Sequence, residues 1–119
     1  MQSPFFRSAK YKFVDRSQIL GLARTAAARI AANHPEVRRV LLFGSFARGD
    51  FNVHSDLDLL VILESSSLSM SDRIADFLQD CAAYPTDVFP LTQEELHNRL
   101  REHDPFWTRA MKEGIDILR

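Results

Sequence analysis

One cysteine, Cys81, in 119 residues leaves no partner for an internal disulfide. The opening MQSPFFRSAK has no apolar core of the kind a secretory leader needs. No apolar run approaches the length that crosses a bilayer, because the longest, LDLLVIL, is short and carries an aspartate. There is no internal repeat and no long linker, and a chain this size has room for one core and no second. Net charge is also missing: 15 Lys/Arg balance 16 Asp/Glu, which argues against a protein that grips a long tract of nucleic acid through its phosphates. These absences lead to the expectation of a soluble cytoplasmic protein of one domain, residues 1–119, with an N-terminal arm (1–13) ahead of a core (14–119).

The charge is unevenly spread. Residues 1–50 hold nine Lys/Arg against three acids, and the remainder six against thirteen. The halves either interleave on folding or form a polarised surface that docks a partner, and an oligomer stays open. The arm's Phe5, Phe6, Tyr11 and Phe13 leave a similar choice between an interaction patch and a cover for the chain's own core.

Hydrophobic periodicity predicts a helix over residues 14–33, with Ile19, Leu22, Ala23, Ala26 and Ile30 on one face. Asp15 caps it, with Gln18 closing a capping box and Val14 stapling to Ile19, and Pro35 ends it. VRRVLLF (37–43) and LDLLVIL (57–63) read as strands. The Ser-rich ESSSLSMSD supplies an N-cap, Ser69 or Ser71, for a helix whose inner face holds Ile74, Phe77, Leu78 and Cys81. TDVF (86–89) is a third strand, and Leu91 to Leu96 combines a capping box with a hydrophobic staple to open a third helix. Asp104-Pro105 opens a fourth, ended by Gly114, and GIDIL makes a short last strand. The fold class expected is α/β (α+β), a small mixed sheet flanked by helices. Strands one and two run antiparallel, while strands two and three, joined through a helix, run parallel. That topology brings Gly44-Ser45, Asp56, Asp58 and Asp87 to one edge.

Asp56 and Asp58, two apart, project to the same side while Leu57 and Leu59 face the core, and Asp87 can join them from the neighbouring strand. Clustered carboxylates repel one another, yet they suit the hard oxygen coordination of Mg²⁺. Gly44 admits a close backbone approach, and Ser45 with the amides after it can bind phosphate. Other readings fail on particular residues. DLDLL lacks an EF-hand's ligands and glycine, and GSFARG has the Walker A spacing but Asp50 in place of the lysine. Ser45 sits in no nucleophile elbow, and His34, His54, His97 and His103 lack zinc spacing.

Gly44-Ser45, ten intervening residues and then Asp56-Leu57-Asp58, within GSFARGDFNVHSDLDLLVI, resemble the signature of the nucleotidyltransferase superfamily that includes DNA polymerase β. The chain is most similar to its minimal single-domain branch, found in HEPN/MNT toxin–antitoxin pairs. The resemblance implies the nucleotidyltransferase palm fold, a nucleoside triphosphate such as ATP as substrate, and two Mg²⁺ ions, Mn²⁺ being an alternative. It also implies transfer of a nucleoside monophosphate to a hydroxyl. Asp56, Asp58 and Asp87 would be catalytic and hold metal, and Gly44, Ser45, Arg48 and Ser55 would hold nucleotide phosphates. Arg48 has a competing structural reading as an ion-pair former. The implied partner is a separately encoded HEPN-type helical toxin, modified on a tyrosine by this chain as antitoxin. The alternatives are a non-catalytic module that neutralises its partner and an enzyme acting on a small hydroxylated molecule.

Overall fold

The computed structural model describes residues 15–118, so the aromatic arm and the Val14 staple lie outside the described residues. Helix α1 (Arg16–Asn33) starts where the Asp15 carboxylate accepts the Ser17 amide and presents Ile19, Ala23, Ala26, Ala27 and Ile30 to the core. Strand β1 (Val37–Phe43) follows, then a single helical turn, α2 (Ser45–Arg48), and strand β2 (Leu57–Leu63). Helix α3 (Met70–Leu78) is capped by the Ser69 hydroxyl, which accepts the Asp72 amide. Strand β3 (Thr86–Thr92) runs directly into α4 (Gln93–Arg101), where Thr92 and Glu95 close a full capping box. Helix α5 (Pro105–Glu113) has Asp104 as cap and Pro at its first position, and β4 (Ile115–Asp116) closes the chain. Among the described residues no helix is long and apolar enough to cross a membrane.

The sheet order is β3-β2-β1-β4, with β1 antiparallel to β2 and β4, and β2 parallel to β3. Strand alternation divides the side chains between two faces. On one, Val40, Leu42, Leu57, Leu59, Val61 and Val88 pack against α1, together with Phe77 of α3. On the other, Leu41, Phe43, Leu60, Ile62 and Leu91 pack against Leu96, Trp107 and Ala110 of α4 and α5. Strand β2 is therefore buried on both sides, and Asp58 interrupts the second face where α5 leaves it open.

Three expectations change. Asp15 caps α1 through the Ser17 amide, and the capping box expected with Gln18 does not form. Strand β3 continues three residues past the predicted 86–89, through Pro90, because β3 is the outer strand and its margin has no ladder bond for proline to lose. The inner face of α3 is not the apolar stripe expected: Leu78 is exposed, and Arg73 is buried beside Phe77. Its guanidinium donates to the carbonyl of Pro90 (3.2 Å) and, twice, to the Glu95 carboxylate (2.7 and 3.2 Å). Among the described residues the two unequal charge halves meet in ion pairs. Arg38 pairs with Glu64, Arg39 with Asp116 (3.4 Å) and Arg48 with Glu113 (3.3 Å), each joining the basic half to the acidic one.

Candidate active site

Backbone register sets the centre of the site. Phe43 pairs with Asp58 across β1–β2, and Asp58 pairs with Asp87 across β2–β3, so the three form one row on one sheet face. Neighbouring strands lie about 4.8 Å apart, which brings the Asp58 and Asp87 side chains alongside each other. Asp56 lies two residues before Asp58, just ahead of the strand, and is exposed like Asp87.

Gly44 ends the row. Its backbone (φ 76°, ψ −155°) falls in a region essentially reserved for glycine. A Cβ there would stand 2.2 Å from Asp58 Oδ2, so the carboxylate occupies the space a side chain would take. Burial, then the charges of Asp87 and Asp56, push the Asp58 carboxyl up from 3.8 to about 6, with Arg48 pulling the other way. That rise expresses a carboxylate drawn partly out of water and, second to that, set beside like charges. The carboxylate donor set suits a divalent metal. Among the described residues, however, no three of His, Cys, Asp and Glu close into a ready cage.

The turn that follows is held from several directions. Phe46 of α2 is fully buried, stacked on Phe51 (4.7 Å) and edge-on to Tyr84 (5.9 Å). Arg16, at the start of α1, donates from Nε to the Phe46 carbonyl at 2.9 Å. The amides that open a helix have no acceptor inside it, and Ser45 opens α2 toward a cleft of ≈ 350 Å³. Gly44, Ser45, Arg48 and Asp58 line one side of that cleft, and Phe106, Arg109 and Glu113 of α5 line the other, with Phe43 and Phe89 between.

Arg48 is engaged in ion pairs, donating to Asp50 (3.2 Å) and to Glu113 (3.3 Å), and these carboxylates raise its pKa. Glu113 also accepts from Arg109 (2.9 Å), and the two arginines lower its pKa, Arg109 foremost. Arg48 thus joins α2 to α5 while its guanidinium stays on the cleft wall. Ser55 stands apart: its hydroxyl accepts the Asn52 amide (2.9 Å), holding the loop before β2, and it is not on the cleft wall.

Sequence reasoning missed the α5 wall, namely Phe106, Arg109 and Glu113, as well as Arg16 and Phe46 behind the turn. Asp104-Pro105 did mark where α5 begins. Nothing in its periodicity says that its first turn reaches back to Phe43.

Comparison with known proteins identifies the family and the fold. The nucleotidyltransferase domain family matches residues 24–113. A Methanocaldococcus jannaschii protein named as a protein adenylyltransferase is 32% identical over 83 residues, covering 69% of this chain and 81% of that one. The crystal structure of a Sulfolobus solfataricus protein described as a nucleotidyltransferase superposes with a TM-score of 0.61 at 26% identity, over 70% of this chain and 75% of that one. A mutant form of the toxin–antitoxin pair MntA-HpeT shares the fold, with a TM-score of 0.50 at 16% identity over 87% of this chain and 72% of that one.

Proposed function

This chain belongs to the nucleotidyltransferase family, and from that premise we propose that it transfers AMP from ATP, with Mg²⁺, to a hydroxyl on a partner protein. The observation that carries the proposal is the pairing of Asp58 with Asp87, in which Asp58, lying against Gly44, lines the same cleft as Ser45. The protein adenylyltransferase name of the Methanocaldococcus relative supports a protein acceptor. The finer form of the reading is a tyrosine on a separately encoded HEPN-type toxin, with this chain as antitoxin.

Asp58 and Asp87, with Asp56, would hold the divalent ions, which when bound supply positive charge to the triphosphate and to the attacking and leaving oxygens. The remaining work falls to the protein. The Ser45 hydroxyl and the amides of Ser45 and Phe46, the two of α2 that do not donate to the Gly44 carbonyl, bind terminal phosphate oxygens, and Arg48 adds charge nearby. Asp87, the more exposed of the paired carboxylates, takes the proton from the acceptor hydroxyl. The acceptor oxygen bonds to the α-phosphorus as the bond to the bridging oxygen breaks, and pyrophosphate leaves.

Intact-mass measurement of the co-purifying partner tests this. Wild type with ATP and Mg²⁺ should add the mass of AMP to the partner, whereas Asp87→Asn should retain the partner and lose about 10²- to 10⁴-fold in rate. A partner blocked by wild type yet unchanged in mass with every nucleoside triphosphate would make the chain a non-catalytic binding module.

A further inference from the structure

We propose that α5 provides a platform for the nucleobase: the ring of Phe106 stacks on the base of the bound triphosphate. The inference rests on the nucleotide-transfer reading and extends it to an element outside the Gly-Ser and Asp-x-Asp motif.

The cleft lining mixes two chemistries. Ser45, Arg48 and Arg109 are polar, the two arginines sharing Glu113, and Phe43, Phe89 and Phe106 are aromatic. Asp58 lies on the same cleft wall. A nucleoside triphosphate carries both an anionic part and a flat aromatic one. The volume of ≈ 350 Å³ lies within the usual range for small-molecule sites.

Phe106 itself remains 50% exposed although three other rings surround it. It meets Phe43 at 5.8 Å and 88°, Trp107 at 4.8 Å and 85°, and Phe89 at 6.0 Å and 51°, so none of them lies flat against it. Its backbone is fixed, because Pro105 precedes it at the first helical position and its amide donates to the Asp104 carboxylate at 2.9 Å. A ring that is held by steep contacts and still reachable from solvent can receive a base at little ordering cost.

Calorimetric titration of the full chain with ATP and with inorganic triphosphate, each with Mg²⁺, separates the base from the phosphates. Wild type should bind ATP on the order of 10-fold more tightly than triphosphate, a stacking-sized preference. Phe106→Leu keeps apolar bulk but no ring face. It should lower ATP affinity to near the triphosphate level and leave triphosphate binding unchanged, and Phe106→Trp should preserve ATP affinity. Unchanged ATP affinity in Phe106→Leu overturns the platform, and so does an equal loss for both ligands, which would mean that the ring only shapes the cleft. A wild type that binds neither ligand would overturn the nucleotide reading along with it. ATP bound normally by Phe106→Leu with only the acceptor's KM raised would assign the ring to the acceptor instead.

Discussion

Asp58 gives up water to lie against Gly44 and beside Asp87, and its carboxyl rises to about 6 as a result. A carboxyl with a higher pKa folded than unfolded holds its proton more tightly in the native state. Its contribution to stability is full below the unfolded value, near 4, and is lost as pH rises through about 6. Urea unfolding of the unliganded protein should therefore show stability falling by about 1 kcal/mol between pH 4.5 and 7.5 from this group, after allowance for screening of a half-exposed carboxylate. Asp58→Asn should flatten that portion of the profile. Gly44→Ala tests the other side of the same contact. The positive φ and the encroachment on Asp58 together should cost about 2–3 kcal/mol of stability, read as a lower urea midpoint, and nucleotide binding should fall with it.

At the scale of elements, Arg73 of α3 ties β3 to α4 through Pro90 and Glu95. Arg73→Ala would leave a buried carbonyl without its donor and Glu95 without its counterion, and should lower unfolding free energy by about 2–3 kcal/mol. Arg73→Met, which keeps the packing, should lose less. Lost charge pairing alone would give equal losses in the two variants.

The same residue shows where the sequence was legible. Strands and caps followed from alternation and from short-range chemistry such as Thr92 with Glu95, so the row of site carboxylates could be placed from the chain alone. Arg73 could not, because an apolar-face rule assigns a guanidinium to solvent unless its distant partners are known. Pro90 likewise reads as a strand terminator until β3 is known to be outermost. Phe106 and Glu113 reach the cleft only through the path α5 takes across the sheet, which is a matter of tertiary packing.

For the molecule as a whole, the contact between Arg73 and Pro90 has a meaning beyond stability. A residue's amide nitrogen and carbonyl point to the same side of a strand, so at Pro90 both face away from β2, toward any strand that might add to the sheet. The donor is missing and the acceptor is already taken by Arg73, which blunts this margin against extension. The opposite margin is blunted differently: β4 pairs only with Leu41 and Leu42, and the earlier part of β1 carries exposed Arg38 and Arg39. Restoring both groups with Pro90→Val and Arg73→Met together should move the protein to larger species in size-exclusion chromatography, while Arg73→Met alone should not. Among the described residues the sheet is thus closed to recruitment by strand addition at Pro90, which leaves the helices and the open face beside Asp58 as the surfaces these residues offer a partner.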